Sequence, residues 1–244
     1  MFACEHITKS YQGAPVVEDI SLCLGDREIV SLLGKSGVGK TTLFHVLAGV
    51  DTPDHGRVLL GGEDVTGAAG RVGYMLQKDL LLPHKTIEDN VGLPLLLKGL
   101  SKKEARAQAG EHFARFGLAG CEKLYPAQLS GGMRQRAALL RTYLTGTDVI
   151  LLDEPFSALD AITKREMHRW YLDIIQTIGA ATLFITHDME EAICLSDRIC
   201  VMGGVPGRIT ETIDVQPPRP RPADFAASPA FMDVKRRLQE AIGL

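Results

Sequence analysis

A glycine-rich run, GKSGVGKTT at residues 34–42, constrains this chain more than any other stretch of its sequence. The run fits the phosphate-binding pattern G-x-x-x-x-G-K-[ST] without a mismatch. The residues before it, EIVSLL at 28–33, predict a buried strand, and those after it, TLFHVLA at 42–48, predict a helix that ends at Gly49. A strand, a glycine-rich loop and a helix in this order predict a binding site for a nucleoside triphosphate, with ATP and GTP as alternatives.

The physical chemistry of the loop supports phosphate binding. Glycines let the backbone curl around oxygen atoms, and the start of the following helix offers unpaired N–H groups and the positive end of the helix dipole. Lys40 adds a positive charge near the β- and γ-phosphates, and the Thr41 hydroxyl is a natural Mg²⁺ ligand. The candidate nucleotide-binding residues here are Gly34, Lys35, Ser36, Gly37, Gly39, Lys40, Thr41 and Thr42.

Length and composition indicate one globular α/β unit with room for a subdomain, since the chain has 244 residues, 45% hydrophobic and 23% charged. The net charge of −3 gives no basic surface, so nucleic-acid binding is not expected. The 5 cysteines form no C-x-x-C pair, so we expect reduced thiols in a cytosol, without a zinc site. The sequence has no signal-peptide pattern and no apolar run long enough for a bilayer, so we expect the protein to be soluble by itself.

Strand and helix signals alternate along the chain, which predicts an α/β fold with a mainly parallel sheet. Gly25 and Asp26, between the second and third predicted strands, predict a hairpin turn. The predicted strands are residues 2–7, 16–24, 28–33, 56–62, 71–76, 148–152, 181–186, 198–202 and 208–213, and further predicted helices are 162–178 and 189–195.

Residues 86 to about 143 carry helical signals only. Capping-box patterns begin at Thr86 and Ser101, and apolar spacing continues behind them as far as Gly99 and Gly117. This stretch is therefore predicted to be a helical subdomain inserted into the α/β core.

The predicted nucleotide-binding domain covers residues 1–215, and residues 216–244 form a separate C-terminal segment. Its first part, QPPRPRP, predicts a stiff polyproline-like connector. Ser228 and Pro229 then open a predicted amphipathic helix. The apolar stripe of this helix consists of Phe231, Val234, Leu238 and Ile242. We expect the segment to pack on or beside the core, either as a stabilising cap or as an element that tunes activity.

Two carboxylates, Asp153 and Glu154, end the apolar strand predicted at 148–152. The carboxyl ends of parallel strands face the ligand crevice, so Asp153 can reach the Mg²⁺ shell while Glu154 holds a water molecule. Glu154 is then the natural general base for attack of that water on the γ-phosphate, which favours hydrolysis over transfer to a second substrate. The alternative is a solvated acidic strand end.

The sequence LSGGMRQR at 129–136 opens a helix predicted to run to about residue 144. Ser130 is a good N-cap, while Gly131 and Gly132 weaken the first helical turn. Small residues beside a serine hydroxyl at a helix N-terminus also make an anion site. The residue types alone leave both roles open, cap and phosphate contact.

With these motifs in this order, the chain resembles the nucleotide-binding subunit of an ATP-binding cassette (ABC) transporter over residues 2–213. The matching motifs are Walker A at 34–42, the Q-loop at Gln77, the signature sequence at 129–135, Walker B at 149–154, the D-loop SALD at 157–160, the switch histidine His187 and the A-loop aromatic Tyr11. The signature sequence is the specific motif, because kinases and GTPases with phosphate loops lack it. An N-K-x-D guanine reader is also missing from the sequence.

The resemblance implies a P-loop core with a mainly parallel sheet, an antiparallel β subdomain and a helical insert. It further implies ATP and Mg²⁺, and a head-to-tail dimer, either a homodimer or paired cassettes. In that dimer ATP lies between the Walker A of one subunit and Ser130, Gly131 and Gly132 of the other. The implied catalytic residues are Glu154, His187 and Gln77. The implied Mg²⁺ ligands are Thr41, Gln77 and Asp153. Further implied nucleotide contacts are Tyr11 and Asp160. Simpler roles are a polar strand end for Gln77, a core histidine for His187, an edge-strand packing residue for Tyr11 and an N-cap for Asp160.

The family resemblance implies the ATP-hydrolysing motor of an importer at the cytoplasmic face of the cell membrane. Such a motor acts through separate transmembrane permease subunits and, indirectly, an extracytoplasmic solute-binding protein. Met133 stands where many members have Gln, which resembles importers of the nitrate, sulfonate and taurine type. The alternatives are a soluble ABC ATPase not coupled to transport, and a regulatory module that binds ATP without turnover. The last is disfavoured because Glu154 and His187 are both present.

A loop between Gln77 and the helical insert, KDLLLPHK at 78–85, contains three successive leucines. Exposed apolar residues in a loop mark a contact surface. We therefore expect this loop to contact the membrane partner and to move with the nucleotide-sensing Gln77, with filling of the seam between core and subdomain as the alternative for Leu80, Leu81 and Leu82.

Overall fold

The computed structural model describes residues 1–157, 159–222 and 224–243. Ala158, in the predicted SALD motif, lies outside this range, as do Ala223 and Leu244 in the predicted C-terminal segment.

Ten strands of the described residues form two sheets. The strands are β1 (Phe2–Tyr11), β2 (Ala14–Leu24), β3 (Ile29–Leu33), β4 (His55–Leu60), β5 (Glu63–Asp64), β6 (Gly73–Met75), β7 (Val149–Asp153), β8 (Ala181–Thr186), β9 (Arg198–Gly203) and β10 (Arg208–Asp214). A four-stranded antiparallel sheet has the order β2-β1-β4-β5, and a six-stranded sheet has the order β10-β9-β3-β8-β7-β6. The predicted α/β class with an antiparallel β subdomain is confirmed.

The six-stranded sheet positions the candidate site. In the sheet order β6-β7-β8-β3-β9, each strand runs parallel to the next. The edge strand β10 is antiparallel to its neighbour β9. Every residue of β3, β7 and β8 is buried, because helices and the second sheet cover both faces. The carboxyl ends of β6, β7, β8 and β3 therefore meet at one edge, and the loops that follow them lie side by side.

The hairpin predicted at Gly25 and Asp26 is wrong. The turn exists, with the Glu28 N–H donating to the Gly25 carbonyl over 3.3 Å, but it joins β2 of one sheet to β3 of the other. The hairpin lies one connection earlier, between β1 and β2, where Gln12 and Gly13 both have positive φ angles of 53° and 79°. Two successive left-handed residues match the twist of a two-residue hairpin.

The helices include the predicted insert between β6 and β7. They are α1 (Lys40–Leu47), α2 (Ile87–Val91), α3 (Leu93–Leu97), α4 (Lys102–Phe113), α5 (Gly131–Tyr143), α6 (Ala161–Ile178), α7 (Met189–Leu195) and α8 (Pro229–Ile242). Ser101 forms the predicted capping box with Glu104. The box predicted at Thr86 does not form, because Asp89 instead pairs with Arg106 and Lys102.

The C-terminal segment is attached to the core rather than extended from it. Residues 216–222 bend instead of forming a straight polyproline rod, which corrects the expectation of a stiff connector. Arg219 makes two hydrogen bonds to Asp197, and Arg221 donates to the carbonyls of Ile193, Cys194 and Ser196 at the end of α7. These bonds hold the segment against the helix that follows β8.

Helix α8 buries three of the four residues of the predicted apolar stripe, and the fourth, Ile242, is partly buried. Phe231, Val234 and Leu238 are buried in a cluster formed with α7, β9 and β10.

We expect Leu238→Ala to lower the free energy of unfolding by about 2–5 kcal/mol, because it opens a cavity in this packed cluster. Met232→Ala, on the exposed side of the same helix, is the matched control, and urea denaturation measures both. Equal stability of the two variants would contradict the role of α8 as a stabilising cap.

The described part of the chain contains no helix that is both long and apolar enough to cross a membrane.

Candidate active site

The glycine-rich loop links β3 to α1, as predicted, and closes around the Lys40 side chain. Lys40 is buried, and its Nζ donates to the carbonyl oxygens of Gly34 at 2.8 Å and Lys35 at 2.9 Å. Burial lowers the pKa of Lys40, while the nearby carboxylates Glu154 and Asp153 act in the opposite direction. The loop thus holds a cation at its centre, where a phosphate chain would supply the missing counter-charge.

Glycine is required at two positions of this loop. A Cβ on Gly34 would lie 2.4 Å from the Met202 carbonyl oxygen, and one on Gly39 would lie 2.6 Å from Val17. Gly39 also has a φ of 102°, in the left-handed region. The backbone can therefore take this curved path only without side chains at these positions.

The candidate Mg²⁺ residues Thr41 and Asp153 lie together. The Thr41 hydroxyl donates to Asp153 Oδ2 over 3.1 Å, across the gap between α1 and β7. Burial raises the pKa of Asp153. A hydroxyl and a carboxylate are the hard oxygen donors that Mg²⁺ prefers, and a buried carboxylate gains most from a cation beside it, so these residues fit the ion.

Glu154 lies between the other two predicted catalytic residues. Gln77 Nε2 donates to Glu154 Oε2 over 3.0 Å, and His187 Nδ1 lies 3.3 Å from Glu154 Oε1. The three side chains come from loops after β6, β7 and β8, which are neighbours in the sheet. The sheet thus assembles an acidic group, an amide and an imidazole beside the phosphate loop.

The backbone at Glu154 is strained. Its φ is +46°, which is uncommon for a residue with a side chain and costs on the order of 1–3 kcal/mol. Its carbonyl accepts hydrogen bonds from the Ser157 N–H at 3.2 Å and the Ser157 hydroxyl at 3.0 Å. Strain held in place by neighbouring bonds is typical of a residue positioned for chemistry.

Tyr11 lies at the end of β1 with 44% of its surface exposed. Its hydroxyl donates to Asp51 over 2.6 Å, and this bond is the main reason that the pKa of Tyr11 is raised. Lys9 pairs with the same carboxylate, and the two partners lower the pKa of Asp51 to about 2. Asp51 therefore orients the Tyr11 ring while leaving much of it open to solvent, as a stacking residue requires. No pattern along the chain indicates Asp51 as the partner of Tyr11.

The signature residues are not brought to the phosphate loop of the same chain. Ser130 is exposed and caps α5, with its hydroxyl accepting from the Met133 N–H at 3.3 Å. Gly131 and Gly132 lie near Leu159 and Thr163 at the start of α6. Asp160 accepts from the Thr163 N–H at 3.1 Å and so acts as an N-cap. The cap roles are confirmed, and phosphate contact stays a prediction that needs a second chain.

Sequence reasoning missed a buried cluster behind His187. Glu191 is 3% exposed, accepts from the Thr186 hydroxyl over 2.6 Å and pairs with Lys164 at 3.1 Å and His168 at 3.4 Å. Burial raises the pKa of Glu191, but the bonds from His168 and Thr186 outweigh it and lower the pKa overall. This cluster ties the end of β8 to α6 and orients the loop that carries His187.

A second missed residue is Tyr74 in β6. Burial and the nearby charge of Asp153 raise the pKa of Tyr74, so the Tyr74 side chain lies close to that carboxylate. An alternating strand pattern could have placed Tyr74 in the sheet, but not beside Asp153.

Comparison with known proteins agrees with this geometry. The family model described as ABC transporter matches residues 17–157. The formylaminopyrimidine import ATP-binding protein ThiZ of Halalkalibacterium halodurans is 47% identical over 203 residues, which cover 83% of this chain and 79% of that protein. The taurine import ATP-binding protein TauB of Escherichia coli O157:H7 is 39% identical over 213 residues, which cover 87% and 84%.

A solved structure shows the same fold. It is the dimeric post-hydrolysis state of the ATP-binding cassette MJ0796 bound to ADP and Pi, with a TM-score of 0.76 and 26% identity over 88% of this chain and 99% of that one. Together with the sequence relatives and the assembled phosphate loop, this likeness identifies the nucleotide as ATP. The chain therefore belongs to the ABC transporter family, as one of its ATP-binding ATPases.

Proposed function

We propose that this chain is the motor subunit of an ABC importer, which hydrolyses ATP at the cytoplasmic face of the cell membrane to drive uptake of a small solute. The observation that carries the proposal is the position of Glu154, held between Gln77 and His187 at the edge of the sheet that also holds the phosphate loop. This is the arrangement that hydrolysis needs, with a phosphate cradle on one side and a proton acceptor on the other.

In the proposed reaction, the loop backbone and Lys40 bind the β- and γ-phosphates. Glu154 accepts a proton from the water that attacks the γ-phosphorus, while Gln77 orients the Glu154 carboxylate. His187 lies on the opposite side of Glu154 and contacts the γ-phosphate. Thr41 and Asp153 would hold Mg²⁺, with Gln77 as a further ligand, and the ion would neutralise charge on the phosphates.

We further propose that two cassettes share each ATP. Ser130 is exposed, and the described residues show no hydrogen bond from it to the phosphate loop. The related cassette MJ0796 is dimeric. A second cassette facing this one head to tail would place Ser130, Gly131 and Gly132 against the ATP on the first, with Asp160 and Tyr11 as further nucleotide contacts.

The transported solute is proposed by class. Two relatives are named for import of formylaminopyrimidine and taurine, which contain nitrogen or sulfur. Met133 in the signature sequence supports the same class. We propose a small nitrogen- or sulfur-containing compound, such as nitrate, a sulfonate or taurine, delivered by an extracytoplasmic binding protein to transmembrane permease subunits.

We propose a division of the chain into the ATPase domain, 1–215, which includes the helical subdomain at about 86–143, and the C-terminal segment, 216–244.

The alternative function is a soluble ABC ATPase not coupled to transport. Such an ATPase needs no surface that contacts a permease. The apolar loop after Gln77 therefore discriminates between the importer motor and the soluble ATPase.

That loop, residues 78–85, is divided between core and surface. Leu81 is 7% exposed and belongs to the core cluster shared with the helical insert, so the expectation that it contacts the partner is wrong. Leu80 is 52% exposed, because a positive φ of 45° turns its side chain outwards. Arg141 donates to the backbone carbonyls of Leu80 and Asp79 and fixes this path. Leu80 is therefore the candidate contact residue.

We expect Leu80→Glu to leave the isolated subunit folded and active as an ATPase, and to abolish its assembly with the permease and uptake by the complex. The charge would be buried against an apolar partner surface, where it is costly. Co-purification of the permease subunits and uptake in membrane vesicles measure the effect.

Leu81→Glu is the matched comparison and should instead lower the thermal stability of the isolated subunit, because it puts a charge into the core. Normal assembly and uptake with Leu80→Glu would remove this loop from the interface. A wild-type chain that captures no permease subunit and supports no uptake would favour the soluble ATPase.

A further inference from the structure

A large groove lies on the side of α6 that faces α7 and the proline-rich segment. Its volume is about 960 Å³, within the range of small-molecule sites. None of the phosphate-loop residues, nor Gln77 or Glu154, lines it. The groove is therefore separate from the nucleotide site, although α7, which forms one wall, begins two residues after His187.

Most charged groups in the groove are paired with one another. Lys164 pairs with Asp188 and Glu191, and Arg219 pairs with Asp197. Other paired groups in the wall are His168 with Glu191, Glu190 with Lys235 outside the groove, and Arg221 with backbone carbonyls of α7. These residues build the wall. The ion-paired groups offset one another's charge, whereas Arg221, bonded to neutral carbonyl oxygens, keeps its positive charge.

Three arginines in the wall have no such partner. The guanidinium groups of Arg27, Arg165 and Arg169 make no hydrogen bond or ion pair with the described residues. Arg165 and Arg169 are four residues apart on α6, so they project from one face of the helix. Among the described residues of the groove, Asp173 is the remaining carboxylate without an ion pair, so positive charge is in excess there.

The floor of the groove is apolar. Leu172, Ile175, Leu195 and Phe225 line it, and the latter three are buried in the hydrophobic clusters below. Phe225 packs at 5.8 Å from Phe231 of α8, and the Arg221 guanidinium lies over its ring at 5.0 Å, so the ring is held in place below the surface. A rigid apolar floor with unpaired guanidinium groups at its rim suits a ligand that has an apolar body and an anionic group.

We propose that this groove is a second ligand site, for a small amphipathic organic anion. The anionic group, a carboxylate, sulfonate or phosphate, pairs with Arg165 and Arg169, and the apolar body covers Leu172 and the exposed prolines Pro218 and Pro220, which also line the groove. Charge-assisted bonds to two guanidinium groups give the site its preference for anions.

Anilinonaphthalene sulfonate, which joins an aromatic body to one sulfonate, is the probe. Its fluorescence is titrated with the full chain, with the double variant Arg165→Gln/Arg169→Gln, and with Arg115→Gln as a control at an exposed arginine of the helical insert. We expect one saturable site whose Kd rises by about tenfold or more in the double variant and is unchanged in Arg115→Gln. The neutral analogue phenylnaphthylamine should bind more weakly and without dependence on the two arginines.

ADP with Mg²⁺ is added as a competitor to identify the site that the probe occupies. The proposal expects no displacement, because the groove does not overlap the phosphate loop. Displacement by ADP, or equal affinity of wild type and double variant, would overturn it. Thermal melting and ATPase rate of the double variant, both expected to match wild type, show that the chain is intact.

Discussion

Glu154→Gln is expected to bind ATP with nearly normal affinity and to lose steady-state hydrolysis by about 10²–10⁴-fold, the usual contribution of a positioned general base. The amide has almost the same shape as the carboxylate but cannot accept a proton from water. It can still receive the hydrogen bond from Gln77, which spans 3.0 Å in the wild type, so the loop should keep its conformation. Phosphate release and equilibrium binding of ATP measure the two effects separately.

Glu111→Gln, the same change at an exposed position of α4, is the matched control and should hydrolyse ATP at the wild-type rate. Because the Glu154 variant binds ATP without consuming it, it should also accumulate as an ATP-bound dimer during gel filtration. Hydrolysis within a few-fold of wild type would move the role of base away from Glu154 and towards His187.

Mixing two inactive chains is expected to restore hydrolysis if ATP is shared between subunits. Lys40→Ala removes the cation at the centre of the phosphate loop, and Ser130→Arg blocks the signature helix, so each homodimer carries two damaged sites. A mixed dimer carries one intact site, built from Lys40 of one chain and Ser130 of the other, and one site damaged twice. The ATPase rate of the mixture, compared with each parent, measures the recovery.

A chain with both substitutions is the matched control. Mixed with wild type, it forms dimers in which both shared sites are damaged, so it should suppress wild-type activity. If each chain instead used its own Ser130, those dimers would keep one intact site, and the mixture of single variants would stay inactive. Retained wild-type activity in the control, together with an inactive mixture of the single variants, would contradict the shared site. Melting temperatures check that Ser130→Arg folds despite loss of its N-cap.

Local sequence predicted the parts of this protein whose structure depends on near neighbours along the chain. The phosphate loop needs glycine at particular backbone angles, and Gly39 has the positive φ that this requires. Strand β8 and helix α7 have the predicted bounds, and Ser101 and Ser130 cap their helices. Periodicity, turn chemistry and caps act over a few residues, so they can be inferred without knowing the fold.

The predictions that were wrong concern local structure that depends on which helices and strands become neighbours. The turn at Gly25 has hairpin chemistry, yet it connects two sheets. The successive leucines after Gln77 are equivalent in sequence, but backbone direction turns Leu80 outwards and buries Leu81. Asp89, three residues after Thr86, has the residue type and spacing of a capping-box partner, but its carboxylate pairs with Arg106 from another helix.

The sequence by itself determined that this chain binds a phosphate chain, because the loop, its glycines and Lys40 are contiguous. Only the tertiary structure decided that Glu154 meets Gln77 and His187, which are 77 and 33 positions away in the chain. The order of parallel strands brings their loops to one edge, and the same packing joins α6, α7 and the proline-rich segment around the arginine-lined groove. Contacts across such distances follow from how buried surfaces fit together, and no local pattern encodes that fit.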